Sequence, residues 1–194
     1  LAQHVGIRVM ATGGVGGVHR GASGDISADL TALGEIPITV VSSGAKAILD
    51  LRRTREVLET KGIPVVGYRT SSFPAFYSRS SDLSVDVAVD APEEVAAIAC
   101  AMRELGLSAA LLVCVPVPQE AALPVEQVEG AVARAVEEAA AEEVDGREGT
   151  PFLLARVVEL TGGESRRANE ALLVNNARVA ARIARAMAER KGDA

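Results

Sequence analysis

The sequence predicts an α/β layered fold with a largely parallel sheet, and three observations support that prediction. Short apolar segments alternate along the chain with longer amphipathic ones. Residues 38–42 contain an unbroken β-branched run and 109–117 is the most apolar segment, a composition typical of strands that helices cover on both faces. From residue 125 onward the pattern is almost wholly helical, so the C-terminal part is predicted to consist of helices.

The first half of the chain is predicted to hold three strands and two helices. A glycine-rich turn follows the first strand, and small residues open the second helix. Gly62 and Pro64 end that helix, because neither residue supports a helix interior. In chain order the elements are a strand at 7–11, a helix at 26–33, a strand at 38–42, a helix at 45–61 and a strand at 65–68.

The second half begins with two further strands around one helix. Pro92 in the first turn, with Glu93 and Glu94 behind it, favours a helix start, and Gly106 stops that helix. In a sheet of this kind, ligands bind at the carboxyl ends of the strands. The predicted elements are a strand at 85–89, the helix that begins at 92, a strand at 109–117, and helices at 125–143, at 151–160 after a Thr150 N-cap, and at 164–191.

Composition favours one globular domain over residues 1–194 and argues against several functions. The 194 residues carry a net charge of −6 with 48% hydrophobic side chains, a balance that disfavours nucleic-acid and anionic-membrane binders. The longest apolar runs reach about half of a bilayer span, and no signal-peptide pattern opens the chain. We therefore expect a cytoplasmic protein without a nucleic-acid or membrane partner. A locally basic pocket still allows a small phosphorylated ligand.

The two cysteines are predicted to be buried free thiols. Cys100 lies in a predicted helix and Cys114 in a predicted buried strand, and neither shows CxxC or Cys/His spacing. Disulfides and zinc are therefore not expected.

A glycine-rich segment, Thr12–Gly21, directly follows the first strand. Five of its ten residues are glycine, which lets backbone N–H groups approach and line a concave anion site. The spacing matches neither a Walker A loop nor a GxGxxG motif entering a helix, so it indicates a nucleotide site only weakly. His19 is either a structural histidine or a ligand contact, and its place beside Arg20 in this loop favours the ligand contact.

Two carboxylates, Asp25 and Asp29, are four residues apart in the segment DISAD. If a helix begins there, both lie on one face with Ser27 near the first turn. One or two carboxylates with water commonly hold a hard cation such as Mg²⁺ or Mn²⁺. In the alternative interpretation Asp25 caps the helix and Asp29 is merely exposed. Neither interpretation excludes the other.

Lys46 is the most informative lysine, because the chain has only three lysines against seventeen arginines. It follows a predicted buried strand and has small neighbours. A partly desolvated amine in that position can attack a carbonyl and form a Schiff base, which arginine cannot do. The alternative is a surface lysine in a first helical turn, a position that the helix dipole disfavours.

Three asparagines lie on the final predicted helix. Asn169 and Asn176 are seven residues apart and share a face, and Asn175 is adjacent. Because asparagine is a mediocre helix former, this cluster indicates buried hydrogen bonds. The partner is either a ligand or another helix.

Seven motifs occur in order along essentially the whole chain. They are ATGGVGGVHRG (11–21), DISADL (25–30), SSGAKAILD (42–50), LETKGIPVVGYRT (58–70), FPAFYSR (73–79), TPFLLARVVELTGG (150–163) and NEALLVNNA (169–177). Together they resemble the pseudouridine-5′-phosphate glycosidase family, which includes indigoidine-cluster A proteins. Their combination is far more specific than any one of them.

The resemblance implies an α/β/α fold in three layers, assembled as a homotrimer. It implies reversible cleavage of the C–C glycosidic bond of pseudouridine 5′-phosphate to uracil and ribose 5-phosphate, with Mn²⁺ or another divalent cation. Lys46 matches the Schiff-base nucleophile for C1 of the ring-opened sugar, and Asp25 matches the metal ligand. Asp29 matches a proton shuttle or a water-mediated metal contact. The implied substrate contacts are Thr12, His19, Ser27, Ala28, Asp29 and Asn169.

The resemblance also implies a general-acid glutamate and a further substrate-binding lysine in a segment before the first strand. Neither matches a residue of this chain. The chain opens at Leu1 and reaches a strand almost at once, which suggests that an N-terminal segment is missing. Two other functions stay open. One is a C-glycosynthase that joins ribose 5-phosphate to an aromatic acceptor in secondary metabolism, and the other is a non-catalytic binding or scaffolding fragment.

Overall fold

A parallel five-stranded sheet forms the centre of the fold in the computed structural model, which describes residues 1–20, 25–144 and 146–192. The sheet order is β1-β3-β7-β5-β6, and every pairing is parallel. Two short strands, β2 and β4, form a separate antiparallel ribbon. The strands are β1 (Val9–Ala11), β2 (Val18–His19), β3 (Thr39–Ser42), β4 (Leu49–Asp50), β5 (Val65–Tyr68), β6 (Val87–Val89) and β7 (Leu111–Cys114).

The α-helices alternate with the strands in the first part of the chain and follow one another in the last part, as predicted. Short 3-10 turns are present at Gln3–Val5 and Gln119–Ala121. The α-helices are α1 (Ala28–Glu35), α2 (Leu51–Thr60), α3 (Pro92–Glu104), α4 (Val125–Ala141), α5 (Gly146–Leu160) and α6 (Glu164–Gly192).

Alternate side chains of the central strands enter two separate hydrophobic cores. Val40 of β3 packs in the core that α1, α2, α4, α5 and the first part of α6 cover. Its neighbour Val41 points to the opposite face, where α3 and the later part of α6 pack. Because both faces of the sheet are covered, the α/β/α layering is confirmed.

The helix predicted at 45–61 is wrong at its beginning. Residues 45–48 form a loop, β4 follows, and α2 begins only at Leu51. The Asp50 carboxylate caps α2 by accepting a hydrogen bond from the Arg53 amide at 3.0 Å. The physical reason is the pairing of β4 with β2, in which Val18 lies opposite Asp50 and which the local pattern does not reveal. Lys46 is therefore not in a helical turn.

The Thr150 N-cap is also wrong, because α5 already begins at Gly146 and contains both Thr150 and Pro151. Pro151 has no N–H and leaves one hydrogen bond of the helix unmade, yet the helix continues through it. The predicted strands at 7–11 and 109–117 are shorter than expected, since only Val9–Ala11 and Leu111–Cys114 pair in the sheet.

Cys100 and Cys114 are both buried and free, as predicted. Burial raises the pKa of the Cys114 thiol to about 12. Within the described part of the chain, no helix is both long enough and apolar enough to cross a membrane.

Candidate active site

The loops that follow β1 and β3 are hydrogen-bonded to each other at the carboxyl end of the sheet. The Ser43 amide donates to the Gly13 carbonyl at 2.8 Å, and the Val15 amide donates to the Gly44 carbonyl at 3.0 Å. The Lys46 amide then donates to the Val15 carbonyl at 3.1 Å. These bonds fix the backbone of Lys46 against the glycine-rich loop, at the edge of the sheet where ligands are expected.

Three of the predicted site residues, Thr12, Lys46 and Asn169, line one cavity of about 510 Å³. Tyr77 and Arg166 line the same cavity. The Lys46 side chain is partly exposed, and no carboxylate of the described residues pairs with it. The cavity therefore has room for a sugar phosphate and holds an amine that is not engaged in an ion pair.

Asp29 lines a second cavity of about 410 Å³, whose wall also contains Thr12 and Gly14. The two cavities thus meet at the end of β1. Of the described site residues, four lie outside the walls of both cavities: His19, Asp25, Ser27 and Ala28.

The glycines of this loop are required by the close approach of neighbouring groups. A Cβ on Gly14 would stand 2.7 Å from the Phe76 ring. A Cβ on Gly16 would stand 2.1 Å from Ser27 Oγ and 2.8 Å from Asp29 Oδ2. Separations under 3.0 Å are not compatible with a side chain, so the loop packs directly on the DISAD segment and on Phe76. Gly21 lies outside the described residues.

The DISAD segment begins α1 differently from either interpretation of its carboxylates. Ser27 is the N-cap and its hydroxyl accepts a hydrogen bond from the Asp29 amide at 3.2 Å. Ala28 is the first residue of the helix and Asp25 precedes it, so Asp25 is neither the cap nor on one helical face with Asp29. Asp29 is exposed, yet its Oδ2 accepts from the Gly16 amide at 2.7 Å. The predictions that Asp25 caps the helix and that it shares a helical face with Asp29 are therefore wrong, whereas the predicted exposure of Asp29 is confirmed.

His19 and Asp25 lie together because residues 17–19 pair with residues 25–27. The His19 amide donates to the Asp25 carbonyl at 2.9 Å, and the Ser27 amide donates to the Gly17 carbonyl at 2.9 Å. The His19 Nε2 stands 3.7 Å from Asp25 Oδ2. The His19 imidazole therefore lies next to the carboxylate of Asp25, the predicted metal ligand.

Asp25 fits a hard cation only as one ligand among several. Its carboxylate side chain is 58% exposed, so water can occupy most of a coordination shell around it. In the part of the chain that the structure describes, no group of three or more His, Cys, Asp or Glu residues could hold a metal ion. The donor set thus suits a water-rich site for Mg²⁺ or Mn²⁺ rather than a site closed by protein ligands.

The asparagines of α6 have different partners. The buried Asn176 donates through Nδ2 to the Thr12 carbonyl at 2.8 Å and to Ser43 Oγ at 3.1 Å, so it ties α6 to the ends of β1 and β3. Asn175 reaches the Pro116 carbonyl at 3.4 Å. Asn169 faces the cavity. The partners of Asn175 and Asn176 are therefore backbone carbonyls and the Ser43 hydroxyl, and not another helix.

Arg20 and Glu129 form a contact that the sequence does not indicate. The Arg20 guanidinium donates to the Ala47 and Leu49 carbonyls, each at 3.2 Å. It also makes a bidentate pair with Glu129 of α4 at 2.8 and 2.9 Å. The Arg20 hydrogen bond lowers the pKa of Glu129. The partners are 109 residues apart, and no local pattern signals such a pair.

Tyr77 is a further cavity residue that the sequence did not single out, although it lies within the FPAFYSR motif. Burial raises the pKa of Tyr77 to about 12, and a hydrogen bond with Ser165 opposes that rise. The Tyr77 ring packs against Phe76 with centroids 4.6 Å apart. The Tyr77 hydroxyl therefore stays protonated well into the alkaline range.

Comparison with known proteins assigns the family. A family model described as indigoidine synthase A like protein matches residues 1–186. The chain is 53% identical over 189 residues to the pseudouridine-5′-phosphate glycosidase of Paracoccus denitrificans, which covers 96% of this chain and 62% of the relative. The enzyme of the same name from Escherichia coli is 48% identical over 187 residues, covering 95% of this chain and 60% of the relative. The chain thus spans about three fifths of the length of these curated relatives.

Solved structures agree with the sequence comparison. The prealnumycin C-glycosynthase AlnA in complex with ribulose 5-phosphate superposes with a TM-score of 0.93 at 36% identity, covering 100% of this chain and 64% of that protein. An indigoidine synthase A-like protein from Thermotoga maritima superposes with a TM-score of 0.87 at 43% identity, covering 94% of this chain and 60% of that protein. The chain therefore belongs to the indigoidine synthase A-like family.

Proposed function

We propose that the chain carries the Schiff-base lysine and much of the substrate cavity of a pseudouridine-5′-phosphate glycosidase. One observation carries the proposal. Lys46 is fixed at the carboxyl end of the sheet and lines a cavity of about 510 Å³ together with Thr12 and Asn169. The names of the relatives, at 48–53% identity, supply the substrate class.

The chemistry of a C–C glycosidic bond explains why a lysine is needed. Such a bond has no leaving-group oxygen, so the pair of carboxylates that serves ordinary glycosidases does not suffice. Lys46 Nζ forms a bond to C1 as the bond from C1 to the ring oxygen breaks, and that oxygen takes a proton. The C–C bond then breaks, its electron pair leaves with the carbon of the base, and the nitrogen lone pair forms the iminium at C1. The base leaves with a proton, and water then releases ribose 5-phosphate and restores the free amine.

The remaining residues bind and orient the substrate in this proposal. Asp29 has one oxygen engaged by the Gly16 amide and another available to move a proton. Thr12 and Asn169 contact the sugar phosphate from the cavity wall. The other proposed substrate contacts are His19, Ser27 and Ala28, which lie outside the walls of the two cavities.

Borohydride trapping tests the role of Lys46. We expect ribose 5-phosphate and borohydride to label the chain at Lys46, as located by peptide mass mapping, and Lys46→Arg to abolish the label although it keeps the charge. Lys61→Arg is the matched control, since Lys61 is exposed at the end of α2 and should not affect labelling. Label at another lysine would refute the assignment. No label on the unaltered protein would favour a non-catalytic binding fragment.

A C-glycosynthase is the second candidate function. It is favoured by the superposition with AlnA, whose structure holds ribulose 5-phosphate. The two candidates share the lysine chemistry and differ in the acceptor. Supplying ribose 5-phosphate with either uracil or a polycyclic phenol distinguishes them: efficient turnover of uracil supports the glycosidase, and coupling to the phenol alone supports the C-glycosynthase.

We also propose that Asp25 is a ligand of Mn²⁺ or another divalent cation. When bound, the cation orders water and the phosphorylated substrate without redox chemistry. Titration of the protein with Mn²⁺, followed by the electron paramagnetic resonance of the free ion, measures binding directly. We expect weak binding that Asp25→Ala removes and that Asp90→Ala, at another exposed carboxylate, leaves unchanged. Unchanged binding by Asp25→Ala would overturn the assignment.

The proposed assembly is a homotrimer, and the proposed location is the cytoplasm. Light scattering on the protein as it elutes from a size-exclusion column measures the mass of the assembly. A mass of about three times 20.1 kDa is expected, and a mass of 20.1 kDa would contradict it.

A further inference from the structure

The Arg20 guanidinium contacts the segment that follows Lys46 from one side and α4 from the other. Nε donates to the Leu49 carbonyl and Nη2 donates to the Ala47 carbonyl, both at 3.2 Å. Nη1 and Nη2 bind the two carboxylate oxygens of Glu129 at 2.8 and 2.9 Å. One planar group thus satisfies two carbonyls and a carboxylate at once.

These bonds hold the backbone on the C-terminal side of Lys46, and other bonds hold it on the N-terminal side. On its N-terminal side, the Lys46 amide is bound to the Val15 carbonyl at 3.1 Å. On its C-terminal side, the Leu49 amide donates to the Lys46 carbonyl at 3.0 Å, and Arg20 holds the carbonyls of Ala47 and Leu49. Ala47 and Leu49 are themselves buried, so this segment has little freedom to shift once Arg20 is in place.

Glu129 sets the position of the guanidinium. Its bidentate contact fixes the plane of Arg20, because two parallel N–H bonds to a carboxylate allow one orientation. The lowered pKa of Glu129, caused mainly by the Arg20 hydrogen bond, agrees with a carboxylate that is charged and engaged. Lysine in place of Arg20 would keep the charge but not the planar fork.

We propose that Arg20, oriented by Glu129, is a positioning residue for the Lys46 amine. It touches no substrate, and it acts by holding the backbone from which Lys46 reaches C1 of the sugar. This inference rests on the proposed Schiff-base function. A displacement of the amine by about 1 Å is enough to slow such a reaction by up to about a hundredfold.

The test measures the rate of borohydride trapping at Lys46 separately from the ribose 5-phosphate concentration that gives half-maximal labelling. For Arg20→Lys we expect the rate to fall about tenfold or more, while the half-maximal concentration changes less than about twofold. Glu129→Gln keeps hydrogen-bonding groups and should lower the rate by about threefold. Glu126→Gln, at an exposed carboxylate one turn earlier on α4, is the matched control and should not change the rate.

A reversed pair, Arg20→Glu with Glu129→Arg, separates positioning from simple ion pairing. It restores opposite charges but leaves no donor at position 20 for the two carbonyls, so we expect the trapping rate to stay low. Recovery of the original rate by the reversed pair would overturn the inference, as would an unchanged rate for both Arg20→Lys and Glu129→Gln. If Arg20→Lys does not fold, Glu129→Gln decides alone. Failure of the unaltered protein to be labelled would instead refute the proposed function.

Discussion

At the scale of single residues, Gly16 is the position at which the loop after β1 and the DISAD segment come closest. Its amide donates to Asp29 Oδ2 at 2.7 Å, and the space where a side chain would begin is occupied by Ser27 and Asp29. The absence of a side chain therefore decides where the Asp29 carboxylate lies. Glycine is needed at this position because of a close approach, and its φ is not positive.

Gly16→Ala should destabilise the protein and reduce Lys46 trapping together. The added methyl must displace Ser27 or Asp29, and overpacking of this kind costs about 1–3 kcal/mol in the free energy of unfolding. Urea denaturation and the trapping assay measure the two effects.

Gly130→Ala is the matched control, because no atom lies within 4 Å of its added methyl, in the middle of α4. The same change there should raise the free energy of unfolding by about 0.5–1 kcal/mol, since alanine is the better helix former. Equal stability of the two variants would show that the Gly16 site has room to relax.

The sequence indicated the proposed reactive residue, Lys46, but not the contacts that hold its backbone. The sequence singles out Lys46 because lysine is scarce in this chain and because Lys46 follows a buried β-branched strand. Arg20 was visible only as a neighbour of His19, and its partner Glu129 is 109 residues away. Such a contact depends on how α4 docks against the β2–β4 ribbon, and the spacing of residues within α4 carries no information about that docking.

At the scale of elements, the sequence predicted the parallel strands from their continuous apolar runs and the long helices from their sustained periodicity. It missed β2 and β4, which have two residues each and pair across about 30 positions of the chain. An element that short has no period to detect. Because β4 forms at Leu49–Asp50, the helix begins only after it. Lys46 therefore lies in a loop and not in the expected helical turn.

Asn176 connects α6 to the strand ends, and Asn176→Asp should break that connection. An aspartate is nearly isosteric but cannot donate to the Thr12 carbonyl or to Ser43, and it introduces a charge at a fully buried position. We expect a loss of about 2 kcal/mol or more in the free energy of unfolding at pH 7, measured by urea denaturation.

Asn175→Asp is the comparison for this change. Asn175 is only partly buried and makes one long bond of 3.4 Å to the Pro116 carbonyl, so its loss should be under about 1 kcal/mol. An equal loss at both positions would mean that the contacts of Asn176 do not carry the attachment of α6.

At the scale of the whole molecule, the sheet is buried on both faces and α6 bridges the two cores. Leu172, near the start of α6, packs with the core on the side of α1 and α2, whereas Ile183 packs with α3 on the opposite face. A helix of 29 residues is about 40 Å long, which suffices to reach both. The continuous helical pattern predicted this length, but not that one helix would serve two layers.

Burial of titratable groups in these cores predicts a loss of stability at alkaline pH. The folded-state pKa of Tyr77 is about 12 against an ordinary value of 10.0, and that of Cys114 is about 12 against 9.0, both chiefly because burial disfavours the charged form. A raised pKa means that the stabilisation is fully present below the unfolded pKa and is lost as the pH rises through the folded one. The free energy of unfolding should therefore fall between about pH 9 and pH 12, by about 2 kcal/mol from Tyr77 alone.

Urea denaturation in steps from pH 8 to pH 11.5 measures how the free energy of unfolding falls with pH. Tyr77→Phe should flatten it above pH 10 and Cys114→Ala should flatten it from pH 9, because each variant removes one proton that unfolding would release. A stability that is constant to pH 11.5, or slopes unchanged in both variants, would contradict the assignment of the alkaline limit to these two buried groups.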